Sequence, residues 1–201
     1  MYVTLSDERR AYVDQAKIEK TRAERIAAGF LVEDWLHKNG YGGKIYRSKI
    51  GKPLYLKTAG EVPLFFSVSH SYPYVAAAFS DLPVGIDVEA FGQRKTSYID
   101  NLMGSRFFTS GEKQLICGAA AKQMPSAQGS VPTVSEKERM FFLIWTFKEA
   151  ICKALELPLD EVLSAYDYAA YMGNKNLYPR LAFRQWEEEM CVVTTCIKEE
   201  E

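Results

Sequence analysis

Little in this 201-residue chain invites a thiolate-metal or disulfide reading. Its four cysteines, Cys117, Cys152, Cys191 and Cys196, form no CxxC pair and stand at no metal-ligand spacing from either of its two histidines. Free thiols in a reducing compartment are the expected state. Long apolar runs are missing as well: no stretch approaches the ~20 residues of a membrane span, and no apolar signal core opens the chain. A cytoplasmic protein that does not enter a membrane is expected. Net charge is nearly absent, with 25 Lys and Arg against 26 Asp and Glu, which argues against an electrostatic nucleic-acid binder. No internal repeat stands out.

What is present is an ordinary globular composition, 47% hydrophobic and 25% charged, sufficient to bury a sizeable core in one domain or two small halves. The charges are unevenly spread. Residues 1 to 60 carry a surplus of five positive charges and residues 61 to 201 a deficit of six. The N-terminal third could therefore face a small polyanion; two solvated faces of amphipathic helices would give the same count.

Ser6, followed by Asp7 and Glu8, predicts a helix start with acids at the positive end of the dipole, and residues 6 to 39 are read as one or two helices. In the second part Ala27, Leu31 and Trp35, flanked by Ile26 and Phe30, form the expected buried stripe, ending at Asn39-Gly40. Short strands are predicted near 45–50, 54–56, 64–68, 74–79 and 84–89. Thr109-x-x-Glu112 and Ser135-x-x-Glu138 are capping boxes that open two helices. Between them, residues 118–134 read as a loop, expected beside a cleft mouth with Leu115 and Ile116. The helix from Glu136 puts Met140, Ile144, Phe147, Ile151 and Ala154 on a core face and Trp145, Lys148, Glu149, Cys152 and Lys153 on the other; Pro158 ends it. Three closing strands are expected near 164–171, 181–186 and 191–197.

Within "PVGIDVEAF", residues 83–91, Val84, Ile86 and Val88 read as the buried face of a strand. Asp87 and Glu89 then share the opposite face, because side chains alternate. Like charges at that spacing repel, so a positive object is expected between them. On the helix, Glu149 lies between Lys148 and Lys153; taken alone it is an exposed i,i+4 pair worth about 0.3–0.5 kcal/mol. As a third acid beside Asp87 and Glu89 it suits a divalent cation and a phosphate, and hard oxygen ligands favour Mg²⁺. "FFSVSHS", residues 65–71, is an apolar strand ending in hydroxyls and His70. A histidine at a strand end is commonly structural, although Ser69 and His70 could equally grip a phosphate oxygen. "GKP", residues 51–53, is a turn with a lysine.

The order GKP, SHS, GIDVE, FFTSGE (107–112) and WTFKEAICK (145–153) resembles the larger, surfactin-synthetase-activating type of 4′-phosphopantetheinyl transferase, over roughly residues 6 to 197. The resemblance implies an α+β fold of two similar halves related by a pseudo-twofold, here residues 1–83 and 84–201. It implies a cleft for coenzyme A and Mg²⁺, with Mn²⁺ as an alternative, and transfer of the pantetheine arm to a serine of an apo acyl or peptidyl carrier protein by a cytoplasmic monomer. Asp87, Glu89 and Glu149 resemble the metal ligands, and Lys153 the lysine facing the transferred phosphate. Glu149 or a water on the metal would take the serine proton. Lys52, Ser69 and His70 match positions that hold coenzyme A, His70 near its 3′-phosphate; Arg25 and either Arg9 or Arg10 match basic residues at the nucleotide end. Glu112 falls in the family's FF…E motif, while its capping box is a sufficient structural explanation. Ser67 stands where the family usually has asparagine, and Glu156-Leu157-Pro158 replaces a glycine-containing stretch. A rival reading is a non-catalytic protein that binds coenzyme A or a carrier protein.

Overall fold

Ser6 does cap a helix: its side chain accepts from Arg9 N and opens α1 (Asp7–Asp14) in the computed structural model, which describes residues 5–48, 51–121 and 134–200. The second helix, α2 (Glu19–Lys38), follows, then β1 (Lys44–Arg47), β2 (Pro53–Leu56), β3 (Phe65–Ser71), β4 (Tyr74–Ser80) and β5 (Val84–Ala90). Helices α3 (Thr96–Gly104), α4 (Ser110–Ala121), α5 (Glu136–Leu155), α6 (Leu159–Ala165) and α7 (Tyr168–Gly173) come next, and β6 (Leu181–Glu188) and β7 (Cys191–Lys198) close the described chain. The architecture is mixed α and β. Strands β1–β2 and β3–β4 form antiparallel hairpins, and β5–β7–β6 form an antiparallel sheet with β7 at its centre.

Helix α2 covers the β3–β4 hairpin, but through a stripe one residue later than its sequence suggests. Ala28, Val32 and Leu36 are buried, whereas Phe30 and Leu31 are exposed. Both stripes are apolar, so periodicity alone does not choose between them; Val32 and Leu36 win by packing on Leu64 and Phe66, with Trp35 stacked on Phe79 at 3.9 Å.

Strand β3 reaches β5 with its side chains. Ser67 Oγ accepts from Ile86 N, Ser69 Oγ donates to Asp87, and Ser71 Oγ donates to Glu89 and accepts from Ala90 N. Three alternate hydroxyls thus join two strands that no backbone ladder pairs among the described residues. The intervening residues turn the other way: Phe66 and Val68 pack with α2, and His70 meets Glu24 of that helix. Ser69 and His70 therefore cannot grip one oxygen together, since adjacent strand residues face apart.

The main core is built on α5, whose Phe141, Phe142, Ile144, Phe147 and Ile151 pack with Ile116, Val162, Tyr168, Val192 and Cys196. Ile144, Phe147, Ile151 and Ala154 lie in the core as their spacing predicts, with Met140 at its margin. Gly85 lets β5 lie directly on this helix. A Cβ at Gly85 would stand 1.9 Å from Ala150 O and 2.6 Å from Ala154 N, and backbone cannot yield as a side-chain tip can. Gly85→Ala is expected to cost at least about 1–3 kcal/mol, the usual range for overpacking; a melting temperature equal to the wild type's would contradict this packing.

Three further expectations are corrected, and one helix is added. Residues 164–171 are not a strand but parts of α6 and α7, with Asp167 capping the latter by accepting from Ala170 N. Helix α4 continues through Ala121, so 118–121 do not belong to a loop, while 122–133 lie outside the described residues. Ile116 is fully buried and is no docking residue. Helix α3, which the sequence did not suggest, has Lys95 at its N-cap and no side-chain cap. Helix α5 ends with Glu156 at φ 56, ψ 33, a left-handed conformation that costs a non-glycine residue about 1–2 kcal/mol. No helix among the described residues is long and apolar enough to cross a membrane.

Candidate active site

Asp87 lies at the centre of β5, on the Gly85 side that faces α5. One of its oxygens, Oδ1, accepts from Ser69 Oγ at 2.6 Å and from Lys153 Nζ at 2.7 Å. Lys153 also donates to Ile86 O at 3.0 Å. The other oxygen, Oδ2, is buried with no hydrogen-bond partner, an arrangement that costs free energy unless something else fills it.

Glu89, next along the same face, accepts from Ser71 at 2.8 Å. Burial first, and the Asp87 carboxylate second, push its carboxyl up to about 7. Glu149 on α5 is pushed up to about 6 by burial and then by Asp87, with Lys153 opposing. Three acids thus crowd one cation, and both rises come first from burial and then from the repulsion of the Asp87 carboxylate. The positive object at Asp87 is the Lys153 ammonium. Among the described residues no three His, Cys, Asp or Glu, Asp87, Glu89 and Glu149 included, are drawn together into a ready-made ligand cluster. In kind, though, the donors suit a hard divalent cation: carboxylate oxygens only, one of them buried and unpartnered.

Lys153 and Glu149 open onto a cleft of about 400 Å³. It is also lined by Arg9, Arg25, Arg47, Lys52 and His70, with Tyr12 among them. The two arginines from α2 and β1 lie over the Tyr12 ring, Arg25 at 4.0 Å and Arg47 at 3.6 Å, and Arg25 also donates to Tyr12 O. Arg9 is 7% exposed; its Nη2 is buried and unpartnered. Burial lowers the Arg9 pKa, with Glu33 opposing and Arg47 reinforcing. A guanidinium held so, with a second arginine nearby, favours an anion. The side chain passes over Gly29, where a Cβ would meet Arg9 Cδ at 2.7 Å. A neighbouring groove of about 560 Å³ shares Arg9, Tyr12 and Arg47 with the cleft. Between Arg9 and Arg10, the structure puts Arg9 in the cleft; Arg10 pairs with Asp7 at 2.5 Å on the surface.

Lys52, read from sequence as a turn lysine, is largely buried. Its Nζ donates to Lys153 O at 2.6 Å and to Glu156 Oε1 at 3.2 Å. Burial lowers its pKa and Glu156 opposes the drop. His70 is half-exposed, its Nδ1 3.5 Å from Glu24 Oε2. Ser69 and Asp87 lie beneath the cleft rather than on its wall. Cys152 lines it as an unreactive thiol, pushed up to about 12 by burial and by Glu149.

A sequence profile of the 4′-phosphopantetheinyl transferase superfamily matches residues 83–186, from the start of β5 through α5 to β6, half of the chain. The chain belongs to that superfamily. The 4′-phosphopantetheinyl transferase psf-1 of Bacillus pumilus is 31% identical over 117 residues, covering 58% of this chain and 41% of that protein. HetI of Nostoc sp. is 34% identical over 110 residues, covering 54% and 39%, and gsp of Aneurinibacillus migulanus 29% over 109, covering 54% and 36%. The matched segments are less than half the length of these curated phosphopantetheinyl transferases.

Against this family background Lys148 and Glu112 separate from the site. Lys148 does not share the Glu149–Lys153 face. It is fully buried and bonds Phe107 O, Leu163 O and Glu112 Oε2 at 3.1, 2.9 and 2.8 Å. Glu112, also fully buried, accepts from Thr109 N and Tyr168 N, and its own N–H donates to Thr109 Oγ1. Its capping box is thus completed, and the FF…E glutamate ties α4 to α5 and α7. Arg47 and Tyr12 are the cleft residues that sequence reasoning missed. The only signal toward Arg47 was the positive surplus of the first 60 residues.

Proposed function

We propose that this chain moves the phosphopantetheine arm of coenzyme A to a serine hydroxyl of an apo acyl or peptidyl carrier protein, in an Mg²⁺-dependent reaction that releases adenosine 3′,5′-bisphosphate. The observation that supports this most is a single cleft lined by Arg9, Arg25, Arg47, Lys52 and His70 together with Glu149 and Lys153. Its cations suit the phosphates of a nucleotide, and Glu149 shares the cleft with them. The carrier-protein substrate comes from the family and from the curated transferases that the chain resembles.

Arg9, Arg25, Lys52 and His70 bind the phosphates of the nucleotide end, with Arg47 beside them. Lys153, held by Asp87 and Ile86 O, meets the charge that builds on the pyrophosphate oxygens, where fixed positive charge is most effective in phosphoryl transfer. Glu149 takes the serine proton. The serine oxygen bonds to the phosphorus bearing pantetheine, and the bond from that phosphorus to the bridging oxygen breaks, leaving its electron pair on adenosine 3′,5′-bisphosphate. Asp87, Glu89 and Glu149 would hold Mg²⁺ or Mn²⁺, which would supply further neutralisation of pyrophosphate charge. Residues 1–83 and 84–201 are proposed as two similar halves; in each a long helix, α2 or α5, packs on antiparallel strands. The protein is proposed to act as a cytoplasmic monomer.

The nucleotide end gives a direct test. Coenzyme A is expected to bind about tenfold more tightly than its 3′-dephospho form at low salt, the value of one charge-assisted hydrogen bond, with the gap narrowing as salt rises. Isothermal titration calorimetry with both ligands measures it; equal affinities at low salt contradict recognition of the 3′-phosphate. The rival, a binding protein without catalysis, has the same affinities and differs in leaving the carrier unmodified. The presence of Asp87, Glu89, Glu149 and Lys153 together weighs against it.

A further inference from the structure

Glu156 combines three features that do not belong together in an ordinary surface residue. Its backbone occupies a left-handed conformation, φ 56, that glycine adopts far more readily. Its carboxylate is spent on Lys52, a residue 104 positions away in sequence, at 3.2 Å. Lys52 in turn is 8% exposed and donates to Lys153 O, near the negative end of the α5 dipole, at 2.6 Å.

We propose that Glu156 is a positioning residue that fixes Lys52 against the C-terminal end of α5 and so sets the affinity of the cleft for its phosphate-bearing substrate. An ammonium has three donors. Two are taken by Lys153 O and Glu156, which leaves one for an anion in the cleft that Lys52 lines. The carboxylate does more than hold. Lys52 is desolvated, and Glu156 is the largest influence opposing the resulting fall in its pKa, so the same contact that aims the side chain keeps it charged. Without Glu156 a free lysine would lose the pre-arranged geometry and part of its charge, and the ligand would have to order it. The left-handed backbone is the conformational cost of placing the carboxylate there. A glycine would fit the turn better and would not hold Lys52.

The inference rests on the cleft being the coenzyme A site, and the experiment separates the two. Affinities for coenzyme A and for inorganic pyrophosphate are measured by calorimetry in magnesium-containing buffer for the wild type, Glu156→Gly, Glu156→Gln, Lys52→Met and the Lys52→Met/Glu156→Gly double variant, alongside thermal melts and transfer kinetics. Glu156→Gly is expected to stay folded and to melt near the wild-type temperature, because relief of its backbone offsets loss of the Lys52 ion pair. It is nevertheless expected to bind both ligands about tenfold more weakly, as for loss of one charge-assisted contact, with KM for coenzyme A rising more than kcat falls. Glu156→Gln, which keeps an acceptor without the charge, falls between. The double variant is expected to be no weaker than Lys52→Met, since both act through one ammonium. Wild-type affinity in a folded Glu156→Gly protein, or additive losses in the double variant, overturns the positioning role and leaves the proposed function standing. A wild type that binds pyrophosphate with this dependence on Glu156 but does not bind coenzyme A overturns the proposed function and leaves the positioning role. A wild type that binds neither ligand overturns both.

Discussion

Asp87→Asn is expected to lower transfer to an apo carrier by about 10²–10³-fold or more, as loss of one fixed electrostatic group in a buried site commonly does, and to leave the protein folded. Asp87 Oδ2 is the buried oxygen without a protein partner, and Oδ1 anchors Lys153. The amide removes the charge that would draw a cation to the one and weakens the hold on the other. Folding should tolerate the change. The lost Lys153 pair is offset by relief at Glu89 and Glu149, both of which Asp87 pushes up. Asparagine also keeps an acceptor for Ser69. Initial rates and thermal melts decide the matter together; a variant with the wild-type melt and the wild-type rate removes Asp87 from the site.

Lys148→Met is expected to act oppositely, on stability. Lys148 and Glu112 are both fully buried, and deleting one partner leaves an uncompensated charge, at a cost of about 3–5 kcal/mol. For a protein of this size that is a fall in melting temperature on the order of 10 °C. Glu112→Gln should fall in the same direction by less, since the amide still accepts from Thr109 N or Tyr168 N. The Lys148→Met/Glu112→Leu pair should recover much of the loss, because no charge then remains buried. Urea denaturation of the set measures the coupling. A Glu112→Gln protein of undiminished stability that no longer transfers would instead put Glu112 in the chemistry.

These two residues mark the boundary of what the sequence makes legible. Strand β5 and the core face of α5 could be read because a two-residue and a 3.6-residue period repeat over enough positions to be distinctive. The other side of α5 could not. Lys148 falls by spacing beside Glu149 and Trp145, yet the helix is enclosed on more than one side, and the carboxylate that neutralises Lys148 lies far off in sequence at Glu112. The offset stripe on α2 has a similar origin: Leu31 and Val32 are equally apolar, and only contact with Phe66 selects Val32. Residues 164–171 were expected to be a strand, and the contact that makes part of them a helix, Asp167 accepting from Ala170 N, is seen in the structure.

The site was legible in its acids and largely illegible in its geometry. The repulsion of Asp87 and Glu89 could be inferred from alternation alone, but not that Lys153 would sit on Asp87, nor that Ser69 would serve β5 instead of the cleft. Arg47 and Tyr12 carry no motif, and their value arises from three elements, α1, α2 and β1, meeting at one ring. Lys52 looked like a turn lysine because its partners, Lys153 O and Glu156, are about a hundred residues away.

The central claim is catalysis at this cleft, and the mass of a carrier protein tests it most directly. An apo acyl or peptidyl carrier is incubated with the protein, coenzyme A and Mg²⁺, and its intact mass is read with time. The account predicts a gain equal to one phosphopantetheinyl group on the carrier serine, dependent on Mg²⁺ and lost with Asp87→Asn. A range of apo carriers left at their original mass by a protein that binds coenzyme A would contradict it and leave the chain a binding protein.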